Sequence, residues 1–238
     1  DNKEYYSDNR GQGLLKLLNK IHSSHAYVAE IIQNAIDANA DKIVFKIIQD
    51  NQLVIEHNGE GFTKQDVQSI AEAGTSKKLA ADIGFMGIGF KSVYERFQKV
   101  SISSPPWKFY FNCPRKEYGI IEQFKKTLPI WDDKIESPSP GMNCRFELSK
   151  PFSKQEKKIQ EILIEDLNYV MGENNDLLVM LACEGIKEIV WYNKEWLLEK
   201  ESVDTNYNKV KINRIIAINN ENSLEWIHLS KSYYPNEK

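Results

Sequence analysis

The sequence predicts an α+β two-layer sandwich. Two observations carry that reading. Strand-like runs occur as close neighbours joined by short polar turns, and helical periodicity lies between such groups rather than alternating strictly with single strands. The chain has 238 residues, of which 41% are hydrophobic, enough to bury one generous core.

Taken in order, residues 12–22 (QGLLKLLNKIH) have helical spacing. A stronger helix is predicted from Tyr27 to Asn39, with Ser23 and Ser24 as cap candidates. KIVFKII (42–48) and QLVIEH (52–57) read as strands around a turn at Asp50–Asn51. A helix over 63–73 leads into a glycine-rich zone, and 88–97 (IGFKSVYERF) has helical spacing again. Strand-like KVSISS (99–104), WKFYF (107–111) and NCRFEL (143–148) follow, with an irregular, proline-rich connection (PIWDDKIESPSPG) before the last. Helices are expected over 154–170 and 174–184, then a strand over 186–192. NKVKINRIIAI and SLEWIHL are rich in β-branched and aromatic residues. The predicted organisation is one domain over 1–200 and a β-rich extension over 201–238, either its end or the start of a following domain.

Composition excludes several classes. No apolar run approaches the roughly 20 residues that span a bilayer, and mean hydropathy is -0.52. The N-terminus, DNKEYYSDNR, has no signal-peptide pattern and no starting Met, so a piece of a longer, cytoplasmic protein is expected. A net charge of -3 without a basic stripe gives no support to nucleic-acid binding. Cys113, Cys144 and Cys183 are scattered and suit a reducing compartment. His22, His25 and His228 share no metal-ligand spacing with each other or with the cysteines.

Three stretches carry chemistry. In EIIQNAIDANA (30–40), Val28, Ile31, Ile32, Ala35 and Ile36 make an apolar face, while Glu30, Asn34 and Asp37 line the opposite stripe. Polar stripes are ordinary on amphipathic helices, so this helix alone decides nothing. Yet a carboxylate one turn before a carboxamide suits a water-activating base beside a hard-cation ligand. EHNGEGFT (56–63) follows a strand, and its glycines allow a tight turn or close approach of a planar ligand. GFMGIGFKS (84–92) has the look of a phosphate loop. It is not a Walker A loop, because Phe90 separates Gly89 from Lys91, and not a dinucleotide fingerprint, because Ser92 occupies the third glycine position.

In this fixed order, over roughly residues 14–112, the three boxes resemble the GHKL superfamily: the ATP-binding domains of gyrase, the ninety-kilodalton heat-shock chaperone, histidine kinases and MutL. QNAIDAN, HNGEGF and GFMGIGFKSVY look most like the branch with the sacsin and NO VEIN ATPase-like domains. The resemblance implies a Bergerat-type fold, with a mixed, mostly antiparallel sheet, helices on one face, and a lid at about 74–90. It implies ATP and magnesium as ligands, Glu30 as the catalytic base and Asn34 as the magnesium ligand. Asp37 and Ala38 follow on the same helix. His57, Asn58, Gly59, Gly61 and Phe62 would line the base side. Gly84, Phe85, Met86, Gly87, Ile88, Gly89 and Phe90 would face the phosphates at a helix N-terminus, with Lys91 beside them. Thr75, Ser76 and Lys77 resemble the Thr-Ser-Lys of MutL.

Two departures matter. The family's Asp-x-Gly-x-Gly has His57 at its aspartate position. A neutral imidazole still accepts from the adenine amine but a protonated one does not, so base recognition is expected to vary with pH and the choice between ATP and GTP stays open. The usual Gly-Thr before a later strand is Gly141-Met142-Asn143, which removes a hydroxyl. The transducer lysine that completes the site in MutL has no identified counterpart. The expected activity is slow magnesium-dependent ATP hydrolysis that times lid closure and dimerisation within a larger protein. The alternatives are a non-hydrolysing nucleotide-sensing scaffold and a chaperone-like client-binding module.

Overall fold

The computed structural model describes residues 26–49, 51–72, 93–112, 129–151, 159–203 and 210–231. The helix expected over 12–22, the Ser23–Ser24 cap and residues 73–92 of the glycine-rich zone lie outside them.

The first helix, α1 (Ala26–Asp37), forms where the apolar spacing predicts. It ends because Asn39 adopts a left-handed conformation with φ 55°. The Asn39 and Ala40 N–H groups then donate to the Ile36 and Ala35 carbonyls, at 2.9 Å each, closing the last turn as a Schellman motif. The chain enters a hairpin of β1 (Lys42–Ile48) and β2 (Gln52–His57). Helix α2 (Lys64–Glu72) starts at a reciprocal cap. There the Thr63 N–H donates to the Asp66 carboxylate at 2.7 Å, and the Asp66 N–H donates to the Thr63 hydroxyl at 3.3 Å.

A short helix, α3 (Val93–Arg96), precedes β3 (Phe97–Ser104) and β4 (Trp107–Asn112). β5 (Ile130–Trp131) and β6 (Cys144–Pro151) follow. Helices α4 (Ile159–Met171) and α5 (Asp176–Cys183) come next. Strands β7 (Glu188–Trp191), β8 (Lys194–Val203), β9 (Val210–Ile218) and β10 (Ser223–Lys231) complete the described chain.

All ten strands join one sheet in the order β10-β9-β8-β7-β1-β2-β6-β3-β4-β5. Its neighbours are antiparallel except β1 and β7. The architecture is thus the mixed, mostly antiparallel α+β sandwich that the sequence predicts. One sheet face holds Ile43, Phe45, Leu53, Ile55, Ile102, Phe146 and Ile189, and the buried stripes of α1, α4 and α5 cover it in a single apolar cluster. No helix among the described residues is long and apolar enough to cross a membrane.

Three local expectations need correction. The helix expected to reach residue 97 stops at Arg96, and Phe97 already pairs with Pro151 in the sheet. Phe97 is fully buried in the core, and burying this aromatic side chain in the sheet outweighs helix propensity there. The proline-rich connection contains a two-residue strand, β5, paired with β4. Strand β8 was not anticipated: its outward residues are mostly Glu and Lys, and only Trp196 and Leu198 face the core. It pairs with β7 through the two-residue turn Tyr192–Asn193, whose first residue takes φ 60°.

A buried polar knot ties three helices together. Asp166 lies on the apolar stripe of α4 and is fully buried. It accepts hydrogen bonds from the Tyr27 hydroxyl at 3.0 Å, Arg96 Nε at 2.8 Å and Arg96 Nη2 at 2.6 Å. The start of α1 and the end of α3 are therefore fixed to α4 through a bidentate, charge-assisted contact. Burial and the adjacent carboxylate push the Tyr27 hydroxyl well above its ordinary value, so it remains a donor. Replacing Asp166 with Ala strands a guanidinium and a hydroxyl in a largely dry site. The expected loss is about 3–5 kcal/mol of unfolding free energy, read by denaturant titration.

Candidate functional site

The site is built where the end of α1 meets the loop after β2. The Asn58 N–H donates to the Lys42 carbonyl at 3.3 Å. Its side-chain oxygen accepts from the Asp41 and Lys42 N–H groups at 3.1 and 2.9 Å, and its amide donates to the Asp41 carboxylate. Asn58 is thereby consumed in joining β1 to the loop. That contact, with Lys187 beside it, also holds the Asp41 carboxyl below its usual range.

One residue on, the Glu60 N–H donates to the Ala38 carbonyl at 2.7 Å. Gly59 has to be glycine at this point. A Cβ there would lie 2.5 Å from the Ala38 oxygen and 2.9 Å from the Ala40 nitrogen, both rigid backbone atoms. A Cβ at Gly61 would meet the Ser104 hydroxyl at 3.1 Å. Phe62 is buried, its N–H donates to Ser104 Oγ at 2.8 Å, and its carbonyl accepts from Trp107 Nε1 at 2.9 Å.

Asn143, Ser104 and Trp107 are the residues that sequence reasoning missed. The Asn143 amide donates to the Asn58 and Gly59 carbonyls at 3.0 Å each, and its N–H donates to the His57 carbonyl at 3.0 Å. Where the resemblance marks a missing hydroxyl, this side chain buttresses the glycine turn. The only sequence signal was an Asn opening a strand after Gly141, which takes φ 82°.

The α1 residues separate by depth. Asp37 is exposed and accepts from Gln33 Nε2 at 2.6 Å. Glu30 is half-buried, and burial alone raises its carboxyl above the ordinary glutamate range. Asn34 is only 2% exposed, deeper than a solvent-facing stripe allows. Among the described residues neither its Oδ1 nor its Nδ2 has a hydrogen-bond partner.

His57 matches it. It is the last residue of β2, in phase with the core residues Leu53 and Ile55, and fully buried. Its ring lies 6.1 Å from that of Phe146 at 26°. Among the described residues neither ring nitrogen has a partner. Burial holds the imidazole at about 4, so it is neutral at physiological pH and the pH-sensitive recognition expected from an ordinary histidine is displaced into acid.

Buried polar groups in folded proteins are nearly always paired. Asn34 and His57 are two exceptions on elements fastened to each other at Gly59. Their donor set fits the implied ligands: an amide oxygen suits a hard cation or its hydration shell, and an imidazole suits the edge of a base. Thr75, Ser76, Lys77 and residues 84–91, assigned to the phosphates from the sequence, lie outside the described residues.

Residues 22–107 match the family described as histidine kinase-, DNA gyrase B-, and HSP90-like ATPase. The chain is 28% identical to Protein NO VEIN of Arabidopsis thaliana over 142 residues, covering 57% of this chain and 5% of that protein. It is 37% identical over 57 residues to the DNA mismatch repair protein MutL of Pseudothermotoga lettingae, covering 23% of this chain and 10% of that one. The chain thus spans a small fraction of these relatives. The Aquifex aeolicus MutL ATPase domain complexed with ADP aligns with a TM-score of 0.45 and 13% identity, covering 82% of this chain and 77% of that one.

The depressed His57 value has a consequence for stability. Unfolded, the imidazole titrates near 6.5, and folded near 4. Between those values the unfolded chain binds more protons, so the contribution of His57 is fully present above pH 6.5 and is lost as pH falls towards 4. The shift corresponds to about 3 kcal/mol. Chemical denaturation between pH 7 and pH 4 should show this loss, and His57→Gln should shrink it.

Proposed function

We propose that this chain is the ATP-binding domain of a larger protein and hydrolyses ATP slowly with magnesium. The observation that carries the reading is the pair of buried, unpartnered polar side chains, Asn34 and His57, on elements locked together at Gly59. The match of residues 22–107 to a family described as an ATPase supports it.

In this reading Asn34 Oδ1 holds the magnesium ion and Glu30 takes a proton from the attacking water. A carboxyl raised by burial lies nearer the operating pH than an exposed one, which suits a general base. The His57 imidazole and the turn at Asn58–Gly61 meet the base, with Phe62 packed behind them. The glycine-rich stretch, including Gly84, Gly87, Gly89 and Lys91, is assigned to the phosphates on its sequence alone. Lid closure over 74–90, dimerisation on ATP binding and a cytoplasmic setting complete the proposal.

The experiment measures magnesium-ATP binding and phosphate release together. The parent should be stabilised by magnesium-ATP, since a ligand that binds only the folded state raises the melting temperature. Glu30→Ala should keep ATP affinity and lose roughly 10²–10⁴-fold in turnover, whereas Asn34→Ala should weaken the magnesium-dependent part of binding. Absence of a thermal shift and of calorimetric binding at millimolar nucleotide overturns the reading. Binding without turnover in parent and variant alike replaces the ATPase with a nucleotide sensor.

A further inference from the structure

We infer that His57 makes this nucleotide site tolerant of both purines, because a buried imidazole with two unengaged nitrogens offers one hydrogen-bond acceptor and one donor in either arrangement. The inference rests on the proposed nucleotide-binding reading and names the substrate class of that same site.

In most proteins one ring nitrogen of a buried histidine is committed to a carbonyl or carboxylate, and that contact decides which nitrogen carries the proton. Here neither Nδ1 nor Nε2 has a partner, and the ring is fully buried beside Phe146. Among the described residues no hydrogen-bond partner selects a tautomer. The backbone around it is committed, with its carbonyl accepting from the Asn143 N–H at 3.0 Å. A ligand meeting this position therefore meets the imidazole and no competing peptide group of His57. The ring is also neutral from about pH 5 upward, since burial lowers its value to about 4.

The two purines differ at the edge such a group would read. Adenine presents an exocyclic amine, a donor, where guanine presents a carbonyl, an acceptor. A carboxylate only accepts, so at this position it pairs with the adenine amine and faces the guanine carbonyl lone pair to lone pair. The imidazole meets adenine with its bare nitrogen and guanine with its N–H. A site that leaves a buried polar group unpaired against the wrong ligand rejects it by large factors, up to roughly 10⁴–10⁵. A tautomerising ring leaves neither purine unpaired, and that source of rejection vanishes.

The test compares the dissociation constants of magnesium-ATP and magnesium-GTP by calorimetry for the full chain, His57→Asp and His57→Asn, with thermal melts to establish that each is folded. The parent is expected to bind both nucleotides within about tenfold. His57→Asp, which only accepts, should shift the ratio towards ATP by about tenfold or more, in line with what one base-edge contact discriminates. His57→Asn, with both a donor and an acceptor, should keep the parent's tolerance. A parent that prefers ATP by a hundredfold overturns the inference while leaving the proposed function standing. So does a folded His57→Asp with the parent's ratio. If neither nucleotide binds the parent, the inference falls together with the reading beneath it. Should His57→Asp fail to fold, the parent's own ratio and that of His57→Asn still decide.

Discussion

The close approach of two backbones, at Gly59 and at the end of α1, is the constraint on which the candidate site depends. With 2.5 Å between a hypothetical Cβ and the Ala38 oxygen, no side chain fits between them. The helix must end where it does for that approach to occur, and Asn39 ends it by entering the left-handed region. The Glu60 and Asn143 hydrogen bonds then hold the turn against the helix. A carboxamide on one element and an imidazole on the other inherit a fixed relation from these contacts. Preorganisation of this kind is what a binding site needs, since each side chain's freedom is spent during folding rather than on ligand capture.

The polar groups of this region divide into two kinds. Asn58, Asp41, Glu56 and Arg145 are paired. On the sheet face away from the apolar cluster, buried Glu56 accepts from the Ser139 N–H at 2.9 Å, the Ser139 hydroxyl at 2.7 Å and Arg145 Nη1 at 3.2 Å. Those contacts fasten the 132–143 segment across the sheet. Asn34 and His57, by contrast, are buried without partners. Both kinds sit in the first two boxes or beside them, so a polar residue in a motif is no guide to its task. What separates scaffold from site is whether its hydrogen-bonding capacity is already used.

Much of this architecture was legible in the sequence. The α1 stripe, the β1–β2 hairpin and the order of the three boxes are local signals, carried by periodicity and by Gly and Asn at set places. The structural counterparts of the helix and the hairpin agree to within a residue or two, while the third box lies outside the described residues. The depth of Asn34 was not legible, because helical phase gives direction and not what covers it. Nor was the part played by Asn143, Ser104 and Trp107, which reach the glycine turn across 42–85 positions of chain. Strand β8 escaped because a strand with one solvated face of Glu and Lys resembles a polar connection when read alone. Nor was the Asp166 knot legible, because its partners, Tyr27 and Arg96, lie 139 and 70 residues away.

The strand order also governs how the domain can be made. β6, from residues 144–151, is inserted between β2 and β3, and β7, from 188–191, lies against the other side of β1. The first three strands therefore emerge from the ribosome each lacking one central neighbour. At roughly 5–20 residues per second, β2 and β3 wait several seconds with open hydrogen-bonding edges until β6 arrives. Open edges of this kind are where chains pair wrongly, and closing such long loops slows the search for the native pairing. A fragment ending near residue 107 would hold the sequence boxes yet lack the strand that joins them, so the motif-bearing third of the chain is a recognition unit and not a folding unit.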